Sequence, residues 1–305
     1  MAILQRSSGN REHRLSGRVL VGRSAACDLR LNATYVSSEH ARVTWTGGAW
    51  VVRDLGSRNG TFLSGHAIAP GRDEPIPEGA EVSFGDPDER WTLSDGSPPI
   101  LGATHLTSGA QVSGRDGLLA LPSPDQPEVS IFAQVDGAFV CETAEGDRTP
   151  VEDGEVITVG GESYRVGLPA TSEGTPIYDE TAALSSVSLR FDVSSDEERV
   201  VISIRHRGRE RRLESREHGY VLLTLARLRR RDEALSPAER GWVSRPELLK
   251  MLRMDSNALN VAIHRARQQL LEAGIEGSAE IVEVRRGERR LGTDAFEIVR
   301  SSDEG

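Results

Sequence analysis

Apolar and polar residues alternate with a period of two through most of the first 170 positions, in short runs broken by turn formers. Ala41–Trp45 and Trp50–Arg53 are such runs, and Gly, Asn, Asp and Ser crowd the intervals around them. This is the pattern of half-buried strands joined by tight turns. A second series, Gly117–Leu121, Val129–Gln134, Ala138–Glu142 and Glu155–Val159, lies in a stretch rich in Gly and Pro and predicts another all-β unit. After residue 187 the pattern changes. Leu189-Phe191-Val193 and Val200-Ile202-Ile204 predict two strands, Arg205–Arg212 a break, and Leu213–Leu228 a helix. That helix carries a stripe of Tyr220, Leu223 and Ala226 beside Leu222 and Leu225, with the acids Glu214 and Glu217 crowding its beginning.

Ser244-Arg245-Pro246-Glu247 predicts a second helix start, with Ser244 as N-cap, Pro246 in the first turn and Glu247 at the capping-box position. Leu248, Leu249 and Leu252 then face a core. A third helix is predicted from Asp255-Ser256, because Leu259, Ile263, Ala266 and Leu270 fall at i, i+4, i+7 and i+11 on one face. Asn257, Asn260, His264, Arg267 and Gln268 lie largely opposite. Ile281–Val284, the basic turn Arg285–Arg290 and a returning strand Phe296–Val299 close the pattern. Residues 169–187 mix Thr, Ser, Gly, Pro and acids without period and read as a linker. The predicted organisation is multidomain: a β domain over 1–97, a second over 98–168, a linker over 169–186 and an α+β domain over 187–300.

Composition and charge sharpen this division. With 28% charged and 37% apolar residues spread through 305 positions, most of the chain should fold, and its length suits two or three domains. Cys27 and Cys141 are the only cysteines and stand far apart, which indicates neither a disulfide framework nor a zinc site. No stretch approaches the roughly 18 apolar residues of a membrane span, so a cytoplasmic protein without membrane contact is expected. Of the 37 basic residues only Lys250 is a lysine, a bias expected of a GC-rich genome. Net charge is −10, yet residues 197–300 hold 22 basic and 17 acidic side chains, giving +5 there and −15 elsewhere. An acidic front and a basic back suit different partners.

Three blocks at the front carry the sharpest chemistry: Gly22-Arg23-Ser24, Ser37-Ser38-Glu39-His40 and Asp54-Leu55-Gly56-Ser57-Arg58-Asn59-Gly60-Thr61. Each falls between predicted strands, so the three can converge at one end of a sandwich. With the closing Glu81-Val82-Ser83-Phe84-Gly85 and Trp91-Thr92-Leu93, the set over roughly residues 1–95 resembles the forkhead-associated (FHA) domain, a phosphothreonine-binding module. The resemblance implies an all-β sandwich in which Arg23 and Ser37 hold the phosphate. Ser38 would add a donor, and Arg58 and Asn59 would fix the peptide backbone. Gly22, His40, Gly60 and Thr61 would be structural, with His40 buttressing the loop from beneath. Ser38 stands where the family often has a basic residue. A phosphothreonine brings about −1.5 to −2 charge and three acceptor oxygens, so a guanidinium, hydroxyls and free N–H groups are what it needs.

The second β segment reads as a worn copy of the first. Gly114-Arg115 echoes Gly22-Arg23, Gly137-Ala138-Phe139-Val140 echoes Gly48-Ala49-Trp50-Val51, and Glu155–Gly160 echoes Glu81–Gly85. Ser37 and His40 align near Gln126 and Val129, and no Asn-Gly follows, so a degenerate FHA-like domain without a phosphate pocket is expected. An unrelated small β domain is the alternative. In the linker, Thr181 follows two acids and precedes Leu184 by three positions, a candidate phosphorylated ligand for the front pocket.

The elements over 187–300, with Leu259-Asn260-Val261-Ala262-Ile263-His264-Arg265-Ala266-Arg267 followed by Leu270, resemble the winged-helix DNA-binding domain of OmpR-type bacterial regulators. That resemblance implies an N-terminal sheet, three helices and a hairpin wing. Contacts to double-stranded DNA would come from Asn257, Asn260, His264, Arg265 and Arg267 on the third helix, and from Arg285, Arg286, Arg289 and Arg290 on the wing. Two departures stand out: Ala262 replaces a commonly polar residue, and Glu288-Arg289-Arg290 replaces the usual glycine-tyrosine turn. The sequence thus predicts a phosphothreonine-responsive transcriptional regulator that docks a Thr-phosphorylated protein or a Ser/Thr kinase and that could act as a dimer on DNA. The alternative is a signalling adaptor whose winged helix holds protein. No nucleophile elbow, P-loop, kinase signature or metal-ligand spacing occurs, so neither an enzyme nor a cofactor is expected.

Overall fold

The computed structural model describes residues 2–9, 11–46, 48–134, 136–169 and 182–300. At the front, alternation produces two facing sheets. One runs, in spatial order, Glu12–Arg14, Ile3–Arg6, Arg90–Asp95, Glu81–Phe84, Thr61–Leu63 and His66–Ala67; the other runs Leu29–Arg30, Arg18–Gly22, Ala41–Thr46, Ala49–Asp54 and Asp73–Pro75. Every second side chain points between them. Leu4, Val82, Phe84, Trp91 and Leu93 from one sheet and Val19, Val21, Val43, Trp50 and Val52 from the other form a single dry core. The three polar blocks are the connections at one end of these strands.

The chain divides into two compact units. Met1–Ser113, Glu152–Thr158 and Glu162–Thr175 form one; Gly114–Val151, Val159–Gly161 and Pro176–Gly305 form the other. Residues 98–168, expected as one domain, are therefore shared between them. In the first unit, Gln111–Ser113, Gly102–His105, Glu162–Gly167 and Val156–Val159 make a four-stranded sheet. Arg165 pairs there with Asp28, and Asp28 also accepts the Leu20 N–H at 2.8 Å, tying this sheet to the front sandwich. In the second unit, Leu118–Ser123, Gln126–Ala133, Phe139–Thr143 and Arg148–Pro150 make a four-stranded antiparallel sheet. The order of these eight strands matches that of eight strands of the front sandwich. Counterparts of Leu29–Arg30, Thr61–Leu63 and His66–Ala67 are missing from it.

Among its described residues the rest of the second unit contains three α-helices, α1 (Gly219–Arg231), α2 (Arg245–Leu252) and α3 (Ser256–Glu272). A sheet of Arg209–Arg212, Val200–His206, Ser188–Val193 and Phe296–Arg300 packs against them, its core face supplied by Leu189, Phe191, Val193, Val200, Ile202 and Ile204. Ser244 caps α2 by accepting the Glu247 N–H, and Asp255 caps α3 by accepting the Ala258 N–H at 2.8 Å. Leu259, Ile263, Ala266 and Leu270 of α3 are all buried in the core. No helix among the described residues is long and apolar enough to cross a membrane.

Four expectations are corrected. Arg205–Arg212 is not a break: the chain turns at Arg207-Gly208 and Arg209–Arg212 pairs back on Val200–His206. α1 starts at Gly219 rather than Leu213, because the Leu213 N–H bonds the Ile202 carbonyl and the Ser215 hydroxyl bonds the Val200 carbonyl, which keeps 213–215 against the sheet. The strand that returns from the basic turn is Glu288–Leu291, while Phe296–Arg300 pairs in parallel with Ser188–Val193. The linker ends early, since Ala182–Ala183 pairs with Ile275–Glu276 and Leu184 is buried in the core. Thr181 lies outside the described residues. Replacing the α3 cap, Asp255→Ala, should destabilise the second unit by about 1 kcal/mol, measurable as faster amide exchange across the first turns of α3 during chemical unfolding.

Candidate phosphopeptide-binding site

The three polar blocks meet because their backbones bond to one another. Arg23 N–H donates to the Ser37 carbonyl at 2.9 Å, Ser24 N–H to Ser38 at 3.0 Å, and His40 N–H to Val21 at 2.8 Å. Gly22 makes this approach feasible, since a Cβ there would collide with the Ser38 carbonyl. Beneath the loops His40 is fully buried. Its Nδ1 faces the Ser37 N–H at 3.1 Å and its Nε2 the Gly60 carbonyl at 3.1 Å. An N–H can only donate, so Nδ1 is the acceptor and Nε2–H the donor, which fixes a neutral tautomer. Burial pushes the His40 pKa down, and the hydrogen bond to Gly60 and the charge of Asp54 offset this only in part.

Asp54 organises the third block and was not singled out in the sequence. It is fully buried, and its Oδ1 accepts the N–H groups of Gly56 and Ser57, both at 2.8 Å. Its Oδ2 accepts the hydroxyls of Ser57 and Thr61, both at 2.6 Å. Burial alone would raise this carboxyl, but the four donors outweigh it and hold the pKa below the usual range. The signal was an Asp two residues before Gly56, the Asx-turn spacing. Tyr35 and Glu89 were also missed. Asn59 Nδ2 donates to the Tyr35 carbonyl at 2.8 Å, while the Tyr35 hydroxyl and Arg6 both donate to Glu89. Gly85 completes the support: its N–H reaches the Gly60 carbonyl at 2.9 Å, and a Cβ would strike Tyr35.

On this frame several of the outward groups are donors. Ser37 Oγ accepts the Arg58 N–H at 3.1 Å, which leaves its own proton for a ligand. Arg23 is exposed, and among the described residues its guanidinium bonds only through Nε, to the Val36 carbonyl at 3.3 Å. Arg58 and Ser38 are exposed as well. Neither the Arg23 nor the Arg58 guanidinium pairs with an acid among the described residues, although many arginines of this acidic chain do. Arg30 adds a further guanidinium, its Nε held on the Arg23 carbonyl at 3.2 Å.

The family model for the FHA domain matches residues 19–85, the span that holds all three blocks together with Tyr35, His40, Asp54 and Gly85. Residues 19–85 are an FHA domain. FhaB, an FHA domain-containing protein of Mycolicibacterium smegmatis, is 42% identical over 67 residues, which cover 22% of this chain and 42% of FhaB. FhaB of Mycobacterium tuberculosis is 40% identical over the same length and coverage. The match thus spans under half the length of these relatives. Among solved structures, the FHA domain of CT664 from Chlamydia trachomatis is 25% identical with a TM-score of 0.28, covering 31% of this chain and 96% of that one. The Rv1747 FHA-1 structure of Mycobacterium tuberculosis is 26% identical with a TM-score of 0.25, covering 30% and 89%.

Outside the FHA domain the outlook differs for the residues expected to face DNA. Arg265, Asn257, Arg285 and Arg286 are exposed and Asn260 half-buried, but His264, Arg267 and Arg289 are buried. Burial first, then the Arg267 and Arg265 charges, lower the His264 pKa to about 4. Arg285 and Arg290 stack on Trp242, at 3.9 and 4.5 Å from its ring, and Arg290 also pairs with Glu283. Arg115, the echo of Arg23, stands 3.8 Å from Glu272.

Both buried groups of the FHA domain make it acid-sensitive. His40 is depressed below 6.5, so the folded state binds fewer protons than the unfolded chain, and stability is lost as pH falls through the folded value; depressed Asp54 acts in the same direction at lower pH. Acidification from neutrality should therefore loosen the loops before the sheets, with the Nε2–H signal of His40 broadening first by NMR. Asp54→Ala, which strands buried donors, should cost on the order of 2–3 kcal/mol of FHA-domain stability in thermal unfolding.

Proposed function

We propose that the chain is a phosphothreonine-responsive regulator acting in the cytoplasm by binding, without catalysis. Its FHA domain docks a Thr-phosphorylated protein, either a Ser/Thr kinase or a kinase substrate. One observation carries this reading: Arg23 and Arg58, paired with no acid among the described residues, stand with the free hydroxyl proton of Ser37 on a single loop cluster whose geometry is locked by His40 and Asp54. A phosphate accepts hydrogen bonds and carries negative charge, and Arg23, Arg58 and the Ser37 hydroxyl offer it positive charge and a donor. The matched FHA family adds the preference for threonine.

The output we assign is binding of double-stranded DNA by the part beyond residue 187. Supporting this are the capped α2–α3 pair, the apolar face that seats α3 on its core, and a hairpin whose tip is Arg286-Gly287. The segment between the two ends is a reduced FHA-like repeat: eight strands keep their order, and the ones that carry Arg30 and Thr61 in the front copy are absent. The adaptor reading draws its support from the protein contacts that α3 already makes with the sheet of 118–150 and with Asp116 just before it.

Fluorescence anisotropy with a labelled phosphothreonine peptide tests the input. Wild type should bind it, and neither the unphosphorylated nor the phosphoserine peptide should compete well. Arg23→Ala should weaken binding by about 10- to 100-fold, the range of a lost charge-assisted hydrogen bond. Undiminished phosphate-dependent binding by Arg23→Ala would place the reader elsewhere.

A further inference from the structure

The face of α3 opposite its core is covered by the sheet Leu118–Pro150 of the same unit. At the centre, Arg267 and Glu142 form a 2.7 Å ion pair with only 2% and 4% of their side chains exposed. Glu142 also takes Arg148 at 2.7 Å, and Arg148 continues to Glu280 at 2.8 Å. Both guanidinium groups lie over the Phe132 ring, which packs with Leu118, Val140 and Ala279. At the rim, Arg265 pairs with Asp125 at 3.4 Å and Gln268 donates to Asp116 at 2.9 Å. The hairpin is held too: the Gly287 N–H donates to the Glu145 carbonyl at 2.9 Å, and Arg289 donates to the Ala144 carbonyl.

The polarity of these contacts is one-sided. At the centre and on the hairpin, α3 and the hairpin donate while the sheet presents carboxylates and carbonyl oxygens, the groups that phosphates and base-edge acceptors would otherwise supply; among the described residues only Arg148 to Glu280 and Arg115 beside Glu272 run the other way. We propose that this sheet is an intramolecular cover imitating the acceptor surface of DNA, that the described arrangement is its closed state, and that DNA binds only after the cover leaves. This rests on the DNA reading of α3. The cover is well suited to leaving. Besides its small apolar cluster it holds through charge, and it leaves His264 Nδ1, Arg267 Nε and Arg289 Nε buried without hydrogen-bond partners among the described residues. Those unmet groups favour opening when a ligand can satisfy them.

The test compares the full chain with Glu142→Gln and with the exposed rim variant Asp116→Asn/Asp125→Asn, using two readouts. These are hydrogen exchange across α3 without DNA, and anisotropy of a labelled mixed-sequence DNA duplex over a salt series. Phosphothreonine-peptide binding checks that the FHA domain stays folded. Glu142→Gln should speed α3 exchange and tighten salt-sensitive DNA binding by about tenfold or more; the rim variant should do so by about two- to fivefold. If Glu142→Gln does not fold, the rim variant decides alone. Unchanged α3 exchange in the variants, or wild-type DNA affinity equal to theirs, overturns the cover. Faster exchange with no DNA binding overturns the DNA reading, and this role of the cover with it.

Discussion

A buried charge or imidazole is stable only when fixed partners replace the water it has lost, and both ends of this protein are organised around that requirement. At the front, His40 and Asp54 are fully buried, and each tethers segments distant in sequence: His40 joins the Ser37 loop to Gly60, and Asp54 joins the start of its loop to Thr61. Because these inner groups are saturated, the outer ones, Arg23, Arg58 and the Ser37 hydroxyl, are left with unspent donors at a fixed spacing. The affinity of such a site comes from preorganisation as much as from charge. A loose loop bearing the same arginines would have to be ordered at the moment of binding.

In the second unit the same requirement has the opposite consequence. Arg267, placed by its helix on the face turned from the core, is paired with Glu142, and Glu142 with Arg148 as well. The side chains that would recognise a ligand are the ones that the fold has partnered internally. An arginine's role therefore depends on whether an acid reaches it: Arg23 and Arg267 carry the same group, yet one is open and the other enclosed.

The strand order of residues 102–167 follows that of the front sandwich, and the strands it lacks are those bracketing the reader: Leu29–Arg30, Thr61–Leu63 and His66–Ala67. Two sheets stand without such strands, since each sheet is held by its own ladder and apolar face. One of these two sheets is the one that packs on α3.

How much was legible depended on the range of the interaction. Strand positions, the caps Ser244 and Asp255, the buried stripe of α3 and the three polar blocks were readable because alternation, helical period and capping are fixed within a few residues. Elements that depend on a distant neighbour were not: the strand Arg209–Arg212 carries no apolar alternation and exists because Val200–His206 lies beside it, and Phe296–Arg300 leaves its hairpin neighbour for Ser188–Val193. Asp54, Tyr35 and Glu89 escaped notice since their importance lies in whom they meet. The sequence by itself determined the alternating strands, the helices and the chemistry on offer, a set of loop donors in front and an arginine-bearing helix behind. Only the tertiary structure decided which donors remain free, because the partner of a charge, Glu142 for Arg267 or none among the described residues for Arg23, is chosen by packing across more than a hundred residues of chain.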